Sequence, residues 1–389
     1  MLRQSYKRKH LLPILETVGS IIFSPRLLYK NKRKSNANGK IENILVLELW
    51  GLGDLVMATP CLKILKDSFP DAEITLLAQA HANTLFEDMD TVDKIIPFKM
   101  PWTKFSGKYN FFKWNWPALF ALIKSIRKTD YDLIIDARGD IRNNLLTFML
   151  GGKRRVGFDW TGGGYLLDDV VKCDYRNIHR VDAWMELMDH LKLNTKQRVP
   201  TLDVTEDASY KAKEFIRQNK IDASGPLIGI HPGARIKTRC WPLEKFAKVA
   251  DFVRNKYKAN LLVFVEPEGY GSQIAIDGDF TKVQVSLKEM IAIIRQLDIF
   301  ICNDGGAMHI ASALGVPVIA VFGPTEPTWF GPIDSNCDIV IDTSVTCRPC
   351  FDYCIYTKPL CIEKITVEQV CSVIESKMPG IITGKQCTI

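Results

Sequence analysis

No stretch of this chain is apolar for long enough to cross a bilayer. The longest early candidate, Leu11 to Phe23, is broken by Pro13 and Glu16, whereas a spanning helix needs about 20 nearly unbroken apolar residues. Glu16 also falls where a secretory signal would be apolar, and no small-residue cleavage site follows, so a cleaved leader is not expected. Acidic residues are scarce at the start: residues 1–40 hold ten Lys or Arg against Glu16 alone. That segment carries +9, so the whole-chain +7 leaves −2 for the remainder. The cysteines lack a pairing pattern. There are eleven, an odd number, mostly scattered through apolar segments such as those of Cys61, Cys240 and Cys302, which argues against a disulfide framework and for a reducing, cytoplasmic setting. No repeat shorter than a domain occurs, nor any low-complexity tract beyond the basic start.

What is present is ordinary in bulk: 47% hydrophobic and 24% charged residues over 389 positions, enough chain for two domains with separate cores. Between the two basic clusters of residues 1–40 lie Leu11, Leu12, Ile14, Leu15, Val18, Ile21, Ile22 and Phe23. A basic–apolar–basic extension of this kind suits an anionic membrane surface; a solvated basic tail, or a helix packed on the body, is the competing reading. No nucleic-acid partner is expected.

The rest alternates short apolar runs with amphipathic stripes. Ile44–Leu49 reads as a buried strand, followed by the turn Trp50-Gly-Leu-Gly-Asp54 and a helix with Leu55, Ala58, Leu62 and Leu65, Pro60 falling in its first two turns. Strands follow at Glu73–Ala78, Val92–Phe98, Asp132–Asp136 and Arg155–Phe158, with a Trp/Phe-rich loop and a helix near 117–128 among them. The pattern pauses near 194–208 and restarts with strands at 226–231, 260–265, 298–302 and 316–322 and helices at 242–254, 287–295 and 307–314. A capping box, Thr366-Val-Glu-Gln369, announces a last helix to about Lys377. Such alternation implies parallel strands joined by right-handed crossovers. We expect two Rossmann-like, doubly wound α/β domains facing a cleft: an extension at 1–40, an acceptor domain at 41–200, a donor domain at 201–365 and a helix with tail at 366–389.

In such sheets ligands collect beyond the carboxyl ends of strands, and four stretches fall there. Gly51-Leu-Gly-Asp54 lacks the third glycine of the dinucleotide fingerprint. Asp54 is either a helix N-cap or a cleft-facing base able to take a proton from a hydroxyl. His231-Pro-Gly-Ala-Arg-Ile-Lys-Thr-Arg-Cys-Trp-Pro242 offers Arg235, Lys237 and Arg239 to a departing diphosphate, unless it is only a solvated basic loop. Glu266-Pro-Glu268-Gly is either a site for sugar hydroxyls or a solvated turn. Asn303-Asp304-Gly305-Gly306-Ala-Met-His309 breaks a strand and opens a helix. Its amide dipole favours phosphate, its glycines admit a close ligand, and His309 adds a donor; Asp304 as a mere N-cap and His309 as an interior residue is the bland alternative. Gly323-Pro-Thr325 supplies a further strand-end turn.

Taken in order, the GD turn, the His-Pro-Gly loop with Trp-Pro, Asn-Asp-Gly-Gly-x-x-His and Phe-Gly-Pro-Thr resemble the ADP-heptose:lipopolysaccharide heptosyltransferases, glycosyltransferase family 9. The resemblance covers about 41–377. It implies a GT-B fold and an inverting, metal-independent transfer of heptose or a related sugar from a nucleotide donor, with ADP-heptose the expected one. The acceptor it implies is a lipopolysaccharide-core or similar glycan at the inner face of the membrane. It places the base on Asp54 and donor contacts on Arg239 or Lys237, Glu268, Asp304, Gly305, Gly306, His309 and the Thr325 turn. One departure stands out: Glu48 occupies a first-strand position where the family usually has Arg or Lys. Epimerases of the same plan, and non-catalytic nucleotide-sugar binders, are the alternatives; an epimerase needs a second acid or base, and only Asp54 suggests itself here. Metal-binding Asp-x-Asp is mimicked by Asp88/Asp90 and Asp277/Asp279, which read as polar turns or helix ends. Cys347, Cys350, Cys354 and Cys361 could gather round a structural zinc, though no His contributes; thiols or disulfides are the other readings.

Overall fold

The computed structural model describes Thr17, Gly19 and residues 40–103, 110–221, 225–266, 269–334, 336–350 and 354–386. The basic extension therefore lies, except for Thr17, Gly19 and Lys40, outside the described residues, as does Glu268. The chain divides into two compact units, one up to Arg198 and one from Val199 onward.

The first unit runs β1 (Asn43–Glu48), α1 (Leu52–Ser68), β2 (Glu73–Ala78), α2 (His81–Phe86), β3 (Lys94–Pro97), α3 (Trp116–Ile126), β4 (Leu133–Asp136), α4 (Ile141–Leu150), β5 (Arg154–Gly157), β6 (Asp169–Val170) and α5 (Arg180–His190). Its strands are all parallel, in the order β3-β2-β1-β4-β5-β6. The chain builds outward from β1 on one side, then returns to lay β4 on the other, so the winding reverses between β1 and β4. Helices on both faces explain why Ile44–Leu47 and Leu133–Ile135 are continuous apolar runs rather than alternating ones.

From Val199 the second unit repeats this plan. It comprises α6 (Glu206–Gln218), β7 (Leu227–His231), α7 (Leu243–Tyr257), β8 (Asn260–Phe264), β9 (Thr281–Val283), α8 (Leu287–Ile294), β10 (Ile299–Asn303), α9 (Gly306–Ala313), β11 (Val318–Phe322), α10 (Pro327–Phe330), β12 (Cys337–Ile341), α11 (Leu360–Glu363) and α12 (Val367–Gln386). The order β12-β11-β10-β7-β8-β9 puts β7 and β10 at the reversal. Its core joins Phe246, Val249, Ala250 and Val253 of α7 to Val370, Ile374 and Met378 of α12. Trp241 sits in it edge-on to Phe246, its indole N–H donating to Ile365 O at 3.0 Å.

Three strands escape the sequence reading, β6, β9 and β12, and all lie at sheet edges. β6 and β9 are two and three residues long, and β12 carries Asp338 and is only partly buried, which weakens their apolar signature. Helices α2, α4, α5, α6, α10 and α11 also go unforeseen, and two of the expected helices differ from expectation. α12 continues past Lys377 through Pro379 to Gln386. Pro60 lies in the third turn of α1 rather than its first two, deep among buried residues. A proline there cannot donate to the carbonyl four residues back; instead the Thr59 hydroxyl donates to Val56 O at 2.9 Å. Thr59→Val should leave that carbonyl unbonded in the core and cost about 1–2 kcal/mol, measured as a fall in the denaturation midpoint without a change in slope.

Candidate functional site

In the first unit the switch between β1 and β4 is lined by charge. Gly51 is the N-cap of α1 and Asp54 its third residue, so the N-cap reading of Asp54 is corrected: its Oδ2 reaches back to accept from Gly51 N at 3.1 Å. Oδ1 accepts from Arg138 Nη1 at 2.9 Å. Arg138 comes from the turn after β4, and its guanidinium lies 4.4 Å from the centre of the Trp50 ring. The Trp50 turn is itself pinned by Gln79 Nε2, which donates to Leu49 O and Trp50 O at 3.1 and 2.7 Å. The Asp54 side chain keeps 20% of its exposure, enough to meet a solute.

Two further carboxyls sit behind it. Glu48, the last residue of β1, is buried; burial first, then the charge of Asp54, pushes its carboxyl up to about 8. Asp136, the last residue of β4, is pushed up to about 6, chiefly by burial, against the Asn143 amide that donates to it at 2.7 Å. For Asp54 burial works upward, but Arg138 and the Gly51 N–H outweigh it and hold the carboxyl below its usual range. Arg180, at the start of α5, is lowered to about 10 by burial and by the charge of Arg138. Its guanidinium lies 5.1 Å from the Trp160 ring, which stacks on Phe158. Glu48 thus shares a charged cluster with Asp54 and Arg138, the guanidinium of Arg138 working against the rise that burial imposes on it.

In the second unit the switch between β7 and β10 is built the same way. Asn303 closes β10 and bridges to the loop after β7: its Oδ1 accepts from Trp241 N at 2.9 Å and its Nδ2 donates to Pro232 O at 2.8 Å. Asp304 is not an N-cap, a place taken by Gly305. Its buried carboxylate accepts from Arg239 Nη1 at 3.1 Å and from the Thr325 hydroxyl at 2.6 Å. Gly306 opens α9, and His309 lies buried in its first turn. A β-carbon built on Gly305 meets no atom within 4 Å, so the fold leaves the approach to the helix N-terminus open. Lys237 and Arg235 are exposed beside this loop. His231, lowered by burial, faces the charge of Glu266.

The structure therefore brings Arg239, Asp304 and Thr325 into one network and sets Gly305, Gly306 and His309 at the helix start. Asp54 stands in the other unit among Glu48, Arg138 and Arg180. Thr325 is fully buried with its hydroxyl on Asp304, which makes it a support rather than a direct ligand. Sequence reading missed Arg138, Arg180 and the bridging role of Asn303. The signal for Arg138 was its place two residues after a buried strand, which only the strand order reveals as the switch. Asp277 and Asp279 lie in an exposed turn about Gly278, at φ 81°.

Among the described residues no three His, Cys, Asp or Glu side chains are placed to hold a metal ion, and the described cysteines stand as thiols. The zinc and disulfide readings of the cysteine loop thus find no support in its geometry. Cys361 is buried on α11, whereas Cys347, Cys350 and Cys354 are half-exposed; burial, then the neighbouring thiols, pushes the Cys361 thiol up to about 11. What the loop does hold is the Gly323–Thr325 turn: Arg348 donates to Gly323 O at 2.7 Å and Thr325 O at 2.6 Å, and Cys350 N donates to Pro324 O at 3.0 Å.

Residues 119–360 match the family described as glycosyltransferase family 9 (heptosyltransferase). The chain is 25% identical over 324 residues to lipooligosaccharide heptosyltransferase 2 of Haemophilus influenzae, covering 77% of this chain and 88% of that one. Its fold matches that of a family 9 glycosyltransferase from Veillonella parvula, with a TM-score of 0.72 at 21% identity over 87% of this chain and 98% of the other. It matches Escherichia coli heptosyltransferase WaaC, solved with ADP, with a TM-score of 0.64 at 18% identity over 86% and 99%. These likenesses make the architecture GT-B.

Glu48 also fixes a pH dependence of stability. Its folded value lies above its unfolded one, so its stabilising contribution is complete below about pH 4.5 and is lost as pH rises toward 8. Glu48→Gln should unfold like the parent near pH 4.5 and be increasingly the more stable of the two toward pH 8, by on the order of a few kcal/mol. Parallel melting curves across that range check this.

Proposed function

The chain belongs to glycosyltransferase family 9, and from that premise we propose that it is an inverting heptosyltransferase taking its sugar from ADP-heptose and giving it to a hydroxyl of a lipopolysaccharide-core or similar glycan. The observation that supports this best is the shared plan of the two switch points. One presents a partly exposed carboxylate held in place by two donors, the other an open helix N-terminus flanked by cations.

The chemistry is a single displacement. The acceptor oxygen forms a bond to the anomeric carbon as the bond to the diphosphate breaks, on opposite faces of the sugar. The proton leaves the acceptor hydroxyl for Asp54, which is ionised at neutral pH because Arg138 and Gly51 N–H hold it so. The negative charge that develops on the departing phosphate is met by the N–H groups at the start of α9 and by Lys237 and Arg239. Those groups neutralise the diphosphate directly, so the reaction is proposed to need no metal ion. Asp304 and Thr325 act at one remove by fixing Arg239. We place the enzyme in the cytoplasm at the inner membrane face, with residues 1–40 as an anionic-lipid anchor whose deletion weakens vesicle binding in a salt-dependent way.

Two measurements test the assignment. Asp54→Asn should lower turnover, read as released nucleoside diphosphate, by about 10²–10⁴-fold while leaving ADP affinity in calorimetry unchanged; retained turnover would refute Asp54 as base. Arg138→Gln removes the cation that keeps Asp54 acidic. The acid limb of its kcat/KM profile should therefore move to higher pH, and an unmoved limb would show that Arg138 does not set the base.

A further inference from the structure

Between residues 99 and 128 the chain carries seven Lys or Arg (Lys99, Lys104, Lys108, Lys113, Lys124, Arg127 and Lys128) and no Asp or Glu. The same stretch holds the largest exposed aromatic surface among the described residues: Phe112 is 100% exposed, Phe120 55%, Phe111 53% and Trp116 38%. These rings are not scattered. Phe111 lies 4.8 Å from Trp114, Trp114 lies 5.2 Å from Trp116, and Trp116 stacks on Phe120 at 6.0 Å, centre to centre. The row is rooted in the core, because Trp114 also meets buried Trp102 at 5.5 Å, and Trp102 donates to Asn143 Oδ1 at 3.0 Å.

Local structure keeps the row turned outward. Asn115 caps α3 by accepting from Ala118 N at 3.1 Å, and the Trp116 indole N–H donates to Phe111 O at 2.9 Å. Leu119, Leu122, Ile123 and Ile126 of α3 take the core-facing positions, while Trp116, Phe120 and Lys124, four residues apart, are exposed. Lys99, Lys113, Lys124, Arg127 and Lys128 are exposed along the same segment.

We propose that this aromatic face, whose own segment carries cations and no carboxylate, is a membrane-docking surface that seats on an anionic lipid bilayer. Tryptophan and phenylalanine partition to the headgroup boundary, and lysine and arginine beside them are drawn to anionic headgroups. A protein partner of mixed charge would not call for a segment charged with one sign. The surface belongs to a stretch of sequence other than residues 1–40. It deepens the proposed function, on which it rests for the lipid-linked nature of the acceptor, by bringing the first unit to the layer where such an acceptor lies.

The test uses the full chain and vesicles of phosphatidylglycerol with phosphatidylcholine, against phosphatidylcholine alone. Phe112 is wholly exposed, so Phe112→Ser removes apolar surface without touching the core; it should weaken partitioning to the anionic vesicles about tenfold, with an unchanged melting temperature. The drop should persist in high salt, which screens the contribution of exposed charges. Phe112→Trp should restore binding, and Lys113→Gln with Lys124→Gln should erase part of the preference for anionic vesicles. Partitioning of Phe112→Ser equal to the parent at both low and high salt would overturn the proposal, as would a loss of self-association in that variant with vesicle binding intact. Binding is read without turnover, so a failed transferase assay and a failed docking surface are told apart. With a soluble, delipidated acceptor Phe112→Ser should turn over like the parent.

Discussion

One buried carboxylate organises the second unit. Asp304 receives Arg239 from the loop after β7 and Thr325 from the turn after β11, tying three strand ends together above the switch point. A buried charge persists only when paired and hydrogen-bonded, so each partner is needed by the others. The tie extends outward, since Thr325 is held by Arg348 through its carbonyl and Arg348 belongs to the cysteine-bearing loop. A loop that looked like a metal site is thereby explained as a brace. Its arginine does the holding.

The first unit solves a different problem with similar parts. In the proposed reaction it presents a carboxylate to a solute while keeping that group ionised. Two donors clamp both oxygens of Asp54, and the guanidinium that supplies one of them is pressed against Trp50. Glu48 and Asp136 lie behind it, raised by burial. The cluster so holds cations and carboxyls at different proton occupancies, and one substitution will be felt by all of them.

Much of this was legible in the residues. Central strands such as Ile44–Glu48 and Ile299–Asn303 announce themselves because burial on both faces demands unbroken apolar runs. The Asn303–His309 turn does so because a strand must stop and a helix must start within a few residues. Edge strands β6, β9 and β12 were missed for the converse reason. Arg138 and Arg180 were missed because a long cation in a loop looks the same whether it is solvated or aimed at a carboxylate. Only the strand order, which sets β4 beside β1, decides between those states. The helix-cap readings of Asp54 and Asp304 failed alike: a glycine takes the capping place, Gly51 three residues before the one and Gly305 directly after the other, leaving each carboxylate to reach elsewhere.

Gly305 has a consequence of its own. Its backbone is extended, at φ 177°, and no atom lies within 4 Å of where a methyl group would go. Neither conformation nor packing therefore asks for glycine there. Selection for a well-folded chain would be indifferent to alanine at this position, and only pressure from whatever comes to rest above the amides of α9 could tell the two residues apart.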